Sequence, residues 1–303
     1  RLARKAGNTH SAYNAVLEAF ACGDRAAKLE EARLLWHDGH QRQAVQALQA
    51  AINSGAFEMP DEAQDDSGSA RSSARSSSKQ NLLLAKAHLV LAKWLDASGQ
   101  SQTNDMTARY QYAAKNFQRW EKGHYYLGKH YSRLLEAEKA LPIKRQSTAC
   151  LAGDMTKAVI ENLMRSIPFG NKYWHETIPK ILTLWLDLGN ATLQKERSED
   201  SAIFDRRAKA LQAVNKQFQK YYERIPPYVF YTALPQMLSR ISHPHPEVWK
   251  RLSDCLNRIV SAHPSQAMWY ILPVLKASDR VRAERGAEVL NKLKDPKKQS
   301  KSD

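Results

Sequence analysis

Cysteine is scarce in this 303-residue chain: Cys22, Cys150 and Cys255 stand far apart and form no Cys-x-x-Cys pair. That spacing excludes a disulfide-built secreted scaffold and a cysteine zinc site, and favours a reducing compartment. Apolar runs are short. None approaches the about 20 residues needed to cross a bilayer, and no signal-peptide pattern is present. Glycine and proline number only 12 each, so little punctuates the chain. Gly-rich phosphate loops and an Asp-Phe-Gly triplet are missing too, which removes the parts a kinase needs to hold a nucleotide and its metal.

What remains between the breakers is Ala, Leu, Gln, Lys, Arg and Glu, the residues that lose least on entering a helix. Hydrophobic residues make up 43% of the chain, enough to build a core. The class expected is all-α. Lys and Arg outnumber Asp and Glu by 46 to 31, a formal net charge of +15 that favours acidic partners. Because the charge is spread along helices, most of it reads as solvated helix surface. The chain opens on Arg1-Leu2-Ala3-Arg4-Lys5, without Met and in what reads as mid-helix, so a piece of something longer is expected.

Residues 1–59 read as helical hairpins. Helix formers run from Ala26 to Trp36, Gly39 ends that helix in a left-handed turn, and a second helix follows over Gln41 to Ile52. Residues 60–80, rich in Ser and without a large apolar side chain, read as a disordered surface loop. Within 81–222 a frame repeats: Lys86-Ala87-His88 with Leu91-Ala92-Lys93 returns as Lys122-Gly123-His124 with Leu127-Gly128-Lys129, 36 residues on. That offset is near the about 34 residues of a tetratricopeptide repeat, whose small positions let paired helices approach. Residues 223–293 are punctuated by proline and read as HEAT-like, with Pro235 and Pro273 expected inside apolar helices as kinks. Residues 294–303 are a basic tail.

Tryptophan recurs shortly before a glycine expected to end its helix, at Trp36–Gly39, Trp94–Gly99 and Trp185–Gly189. The expected role is packing, each ring closing one helix of a hairpin on the next; a stacking platform for nucleobases is the lesser alternative.

Several strings together resemble the FAT region of phosphatidylinositol-3-kinase-related protein kinases, and within them the ATR-type DNA-damage checkpoint kinases. They are the opening RLARKAGNTHSAYNAVLEA, the Trp120-Glu121-Lys122-Gly123-His124 core, Phe169-Gly170-Asn171, the run from Leu184 to Gly189, Leu238-Ser239-Arg240-Ile241 and Ala267-Met268-Trp269. Their order extends over most of the chain, leaving out the Ser-rich segment, which departs from animal members and suggests a fungal one. The resemblance implies an α-solenoid of tetratricopeptide-like and then HEAT-like hairpins. Its signature packing residues here would be Trp36, Trp94, Trp120, His124, Leu127, Trp185, Gly189 and Trp269. It also implies a nuclear serine/threonine kinase as parent, using ATP and Mg, with this stretch clamping the kinase domain. Contacts with an ATRIP-type partner subunit and a second copy are implied as well.

No catalytic, cofactor or metal residues are assigned in the chain itself. Gly23-Asp24-Arg25 matches the start of a related catalytic loop, but Ala26, Ala27 and Lys28 follow where His belongs, and no Asn stands at the required spacing. His243 and His245 flank Pro244 without further ligands beside them. Ser101-Gln102 and Ser265-Gln266 match the dipeptide such kinases phosphorylate; Ser101 is the candidate phosphosite, while Ser265 reads as a helix cap. The rival functions are a basic helical repeat binding single-stranded nucleic acid and an autonomous tetratricopeptide adaptor. Inositol-phosphate binding has no sequence support.

Overall fold

The computed structural model describes residues 1–58, 70–99, 102–193 and 201–294, with no strand among them. The fold is all-α, of the helical-repeat solenoid class. Two compact units divide inside one helix, between Leu127 and Gly128. The sequence reading had placed that point within a single tetratricopeptide-like section.

The first unit contains α1 (Leu2–Lys5), α2 (Thr9–Ala21), α3 (Ala26–His37), α4 (Gln41–Asn53), α5 (Ala70–Ser98), α6 (Thr103–Asn116) and the start of α7 (Glu121–Lys139). Consecutive helices from α1 to α6 pack on one another, as short turns dictate. The helices over 26–37 and 41–53 match the expected hairpin to within one residue, with Gly39 at φ +89°. Leu29 and Ala32 of α3, Ala44 and Leu48 of α4, and Leu84, Ala87 and Leu91 of α5 share one core. Trp36 and Trp94 stack on each other at 4.7 Å, nearly parallel, closing that core.

One boundary is corrected. Residues 70–80, read as part of a disordered loop, form the first turns of α5. No Gly or Pro interrupts the sequence from Ala70 to Ser98, and a helix once nucleated extends at one hydrogen bond per residue. The rest of that segment, and Ser101, lie outside the described residues.

The second unit takes up α7 at Gly128. It continues through a 3-10 turn (Ile143–Arg145), α8 (Thr148–Leu151), α9 (Asp154–Ser166), a 3-10 turn (Ile167–Phe169), α10 (Trp174–Ala191) and α11 (Ser201–Tyr222). After these come α12 (Pro227–Tyr231), α13 (Leu234–Ser239), α14 (Pro246–Ala262), α15 (Pro264–Leu275) and α16 (Arg280–Lys294). The small position of the repeat frame has its reason here: a Cβ on Gly128 would lie 2.7 Å from the Leu163 side chain of α9. The α14 stripe Val248, Leu252, Cys255, Leu256 and Ile259 is buried at helical spacing.

Two proline readings divide. Pro273 is inside α15 as expected, but Pro235 occupies the first turn of α13, where its missing N–H costs little. The chain breaks into two short helices there instead of bending one long one. Pro179, not singled out from the sequence, lies inside α10.

Trp185 is the largest fully buried side chain, at 0% exposed. Its indole N–H donates to Asn215 Oδ1 at 2.7 Å, and its ring stacks on Phe218 at 4.5 Å. Trp185→Ala is expected to destabilise the chain by about 3–5 kcal/mol. A denaturant midpoint unchanged by the substitution would refute this placement.

Candidate interaction surface

The described residues offer no group of three or more His, Cys, Asp or Glu able to hold a metal ion. Asp24 is a turn residue: its Oδ1 accepts the Ala26 N–H at 2.8 Å, and Gly23 takes φ +72°. Cys255 is buried and its thiol is pushed up to about 12, so it stays protonated. Both groups support folding.

The other signature residues divide between packing and exposure. His124 pairs through Nε2 with the Gln118 carbonyl at 2.8 Å, which fixes the turn entering α7. Trp120 is half-buried and would lie 3.2 Å from a Cβ on Gly123; Leu127 is buried. Gly189 does not end its helix. It lies within α10, where a Cβ would come within 2.9 Å of both His243 and Val248, so its smallness serves close approach. Ser265 falls in the first turn of α15, yet no side-chain cap bond forms there.

His243 ties this junction together. The Leu186 carbonyl can only accept, so the ring carries its proton on Nε2, at 2.9 Å; Nδ1 then accepts the His245 N–H at 3.2 Å. Arg285 of α16 reaches over, donating to the Ile241 and His243 carbonyls at 2.7 and 2.8 Å while its guanidinium covers the Trp249 ring. Burial first, opposed by the Leu186 hydrogen bond and aided by the charges of Arg240 and Arg285, lowers the His243 pKa. Burial also lowers His245, with Glu247 opposing. His88 behaves alike: burial, then the charge of Arg109, pushes it down to about 4.

Trp269 is the exception among the tryptophans. Expected to pack, it is 80% exposed on α15, beside exposed Tyr270 and Leu272. The reason is periodicity: Ala267, Ile271 and Val274 take the buried stripe, which leaves the apolar residues between them outside. From Pro264 to Leu275 no residue is charged. A helix apolar on every side is ordinarily buried on every side. The apolar face extends to α12, where Tyr231 meets Tyr270 edge-on at 6.5 Å and exposed Tyr228 leans on Trp174 at 5.9 Å.

The family model described as the FAT domain matches residues 1–183, more than half of the chain. The chain belongs to the FAT-domain family. A second model, for HEAT repeats of ATR-like serine/threonine-protein kinases, matches 213–303 and places this FAT chain with the ATR type. Protein kinase rad3 of Schizosaccharomyces pombe is 33% identical over 298 residues, covering 97% of this chain and 12% of that protein. Serine/threonine-protein kinase ATR of Oryza sativa subsp. indica is 28% identical over 97% of this chain and 12% of its own length. Serine/threonine-protein kinase MEC1 of Candida albicans is 26% identical, over 96% and 11%. The FAT chain thus spans about an eighth of the length of these relatives, which come from fungi and plants. The structure of the FAT and kinase domain of CtTel1 matches the fold with a TM-score of 0.63 at 14% identity, over 95% of this chain and 21% of that one.

The lowered histidines set an acid limit on this FAT chain. A group whose folded pKa lies below its unfolded value contributes stability above about pH 6.5, and that contribution is lost as pH falls toward the folded pKa. The melting temperature is therefore expected to decline between pH 6.5 and about 4, and to decline less in His88→Phe. Equal pH slopes for the two proteins would disprove the role given to His88.

Proposed function

We propose that this chain is a non-catalytic scaffold of an ATR-type serine/threonine checkpoint kinase, acting in the nucleus in DNA-damage and replication-stress signalling. It holds the kinase domain of its own protein in place and supports contacts with a second copy and an ATRIP-type subunit. ATP and Mg are used by that kinase domain and not by these residues. The observation that carries the reading is the uncharged outer face of α15 with Trp269, Tyr270 and Leu272 exposed. Burying such a face stabilises an assembly by roughly 25 cal/mol per Å² of apolar area, with no charge to desolvate. The nucleic-acid reading rests on net charge, and the three tryptophans that the sequence offered as stacking platforms are engaged: Trp36 on Trp94, Trp185 on Phe218.

In the full-length kinase, the pair Trp269→Ser and Leu272→Ser should leave the FAT region folded, because both side chains are already in solvent. Kinase activity should fall, and limited proteolysis should release the kinase domain sooner. Wild-type activity and an unchanged proteolysis pattern would remove the α15 face from the clamp.

A further inference from the structure

A second surface of the unit beginning at Gly128 has no part in the reading above. A cleft of about 300 Å³ opens among α8, α10, α11 and the 3-10 turn at Ile143–Arg145. Leu151, Leu184, Leu188 and Ala191 give it apolar walls, while Lys139 and Ile143 bound it from α7 and the turn. Thr156 lines it too. That residue is 5% exposed and offers the cleft a hydroxyl.

The turn beside the cleft combines apolar exposure with positive charge. Leu141 is 42% and Ile143 63% exposed, and Lys144 and Arg145 follow directly in the exposed turn. Lys139, Lys144 and Arg145 have no ion pair or hydrogen-bonded acid among the described residues. The nearby acids are committed in part: Glu138 accepts the Ser147 N–H at 2.9 Å, and Asp154 pairs with Arg206 at 2.6 Å. Asp187 remains at the cleft itself, leaving the surround net cationic.

We propose that this cleft docks an acidic peptide segment of a partner protein. One apolar side chain of the segment enters between Leu184, Leu188 and Ile143, and its carboxylates meet Lys139, Lys144 and Arg145. Thr156 supplies a hydrogen bond to whatever polar group follows the apolar side chain inward. Size favours this occupant: the volume is at the bottom of the roughly 300–1,000 Å³ that seats a drug-sized ligand, and suits one or two side chains. Charge complementarity supplies the register and the encounter rate. A nucleic-acid strand fits worse, since no aromatic residue lines the cleft to stack a base and Asp187 would face its phosphates.

The test is fluorescence anisotropy on the full-length protein with a labelled synthetic peptide in which one leucine is flanked by glutamates. Control peptides replace the leucine by serine or the glutamates by lysines. Binding is expected, weakened about tenfold by the combined substitutions Lys139→Glu, Lys144→Glu and Arg145→Glu. All three side chains are exposed, and the serine peptide should lose binding by a similar factor without any change in the protein. No binding at about 100 µM peptide would overturn the proposal. So would equal affinity for the leucine and serine peptides. Binding of a labelled single-stranded oligonucleotide that depends on the same three cations, with none of the peptides, would overturn it in favour of nucleic acid.

Discussion

The hydrogen bond from Trp185 to Asn215 fixes the centre of the second unit. An indole N–H buried without a partner would cost about 1–3 kcal/mol, so the ring can be used as core only where an acceptor is placed for it. Asn215 provides it from α11, and its amide N–H reaches Glu247 of α14 at 3.3 Å. Phe218, one turn further along α11, stacks on Trp185 and leans on Phe230 of α12 at 5.9 Å. One side chain thereby sets the spacing of α10, α11, α12 and α14. The His243 junction repeats the device one turn further along α10, with a polar ring satisfied at both nitrogens and a glycine that lets the elements meet.

Most of the helical architecture was legible because it depends on local terms. Apolar spacing and the glycine at position 39 define the helices over 26–37 and 41–53, and the repeat frame finds the small positions that permit close packing. What escaped depends on context. Ser-rich composition argues against a core but not against a helix, so 70–80 extends α5 although its sequence has little to bury. Pro235 was misplaced because a run of apolar residues around a proline reads the same for a kinked helix and for two short ones. Gly189 was assigned to a helix end by its distance from Trp185, whereas the reason for its size lies 54 residues away in His243.

Tryptophan gave the least reliable positional signal. Trp36, Trp94 and Trp185 are in or against cores, whereas Trp269 faces solvent. Periodicity separates them: α15 has more apolar residues than one stripe accommodates, and the excess is visible in the sequence once the buried positions Ala267, Ile271 and Val274 are known. The absence of charge over those 12 residues was equally open to reading. The cleft beside Ile143 was not, because its walls come from six elements between α7 and α11 and no local pattern brings them together.

The two exposed surfaces of this unit obey different physics, which bears on how such a scaffold works. The α15 face has no charge, so its association gains from water release and responds weakly to salt. The turn at Lys139, Lys144 and Arg145 attracts acidic groups over about 8–10 Å and loses that reach as ionic strength rises. A permanent contact within one protein is served by the first kind of surface, since nothing in it favours dissociation. A contact that forms and breaks is served by the second, where encounter is fast and each exposed pair adds little. Under the two proposals together, such a helical array would hold one neighbour constantly and admit another conditionally.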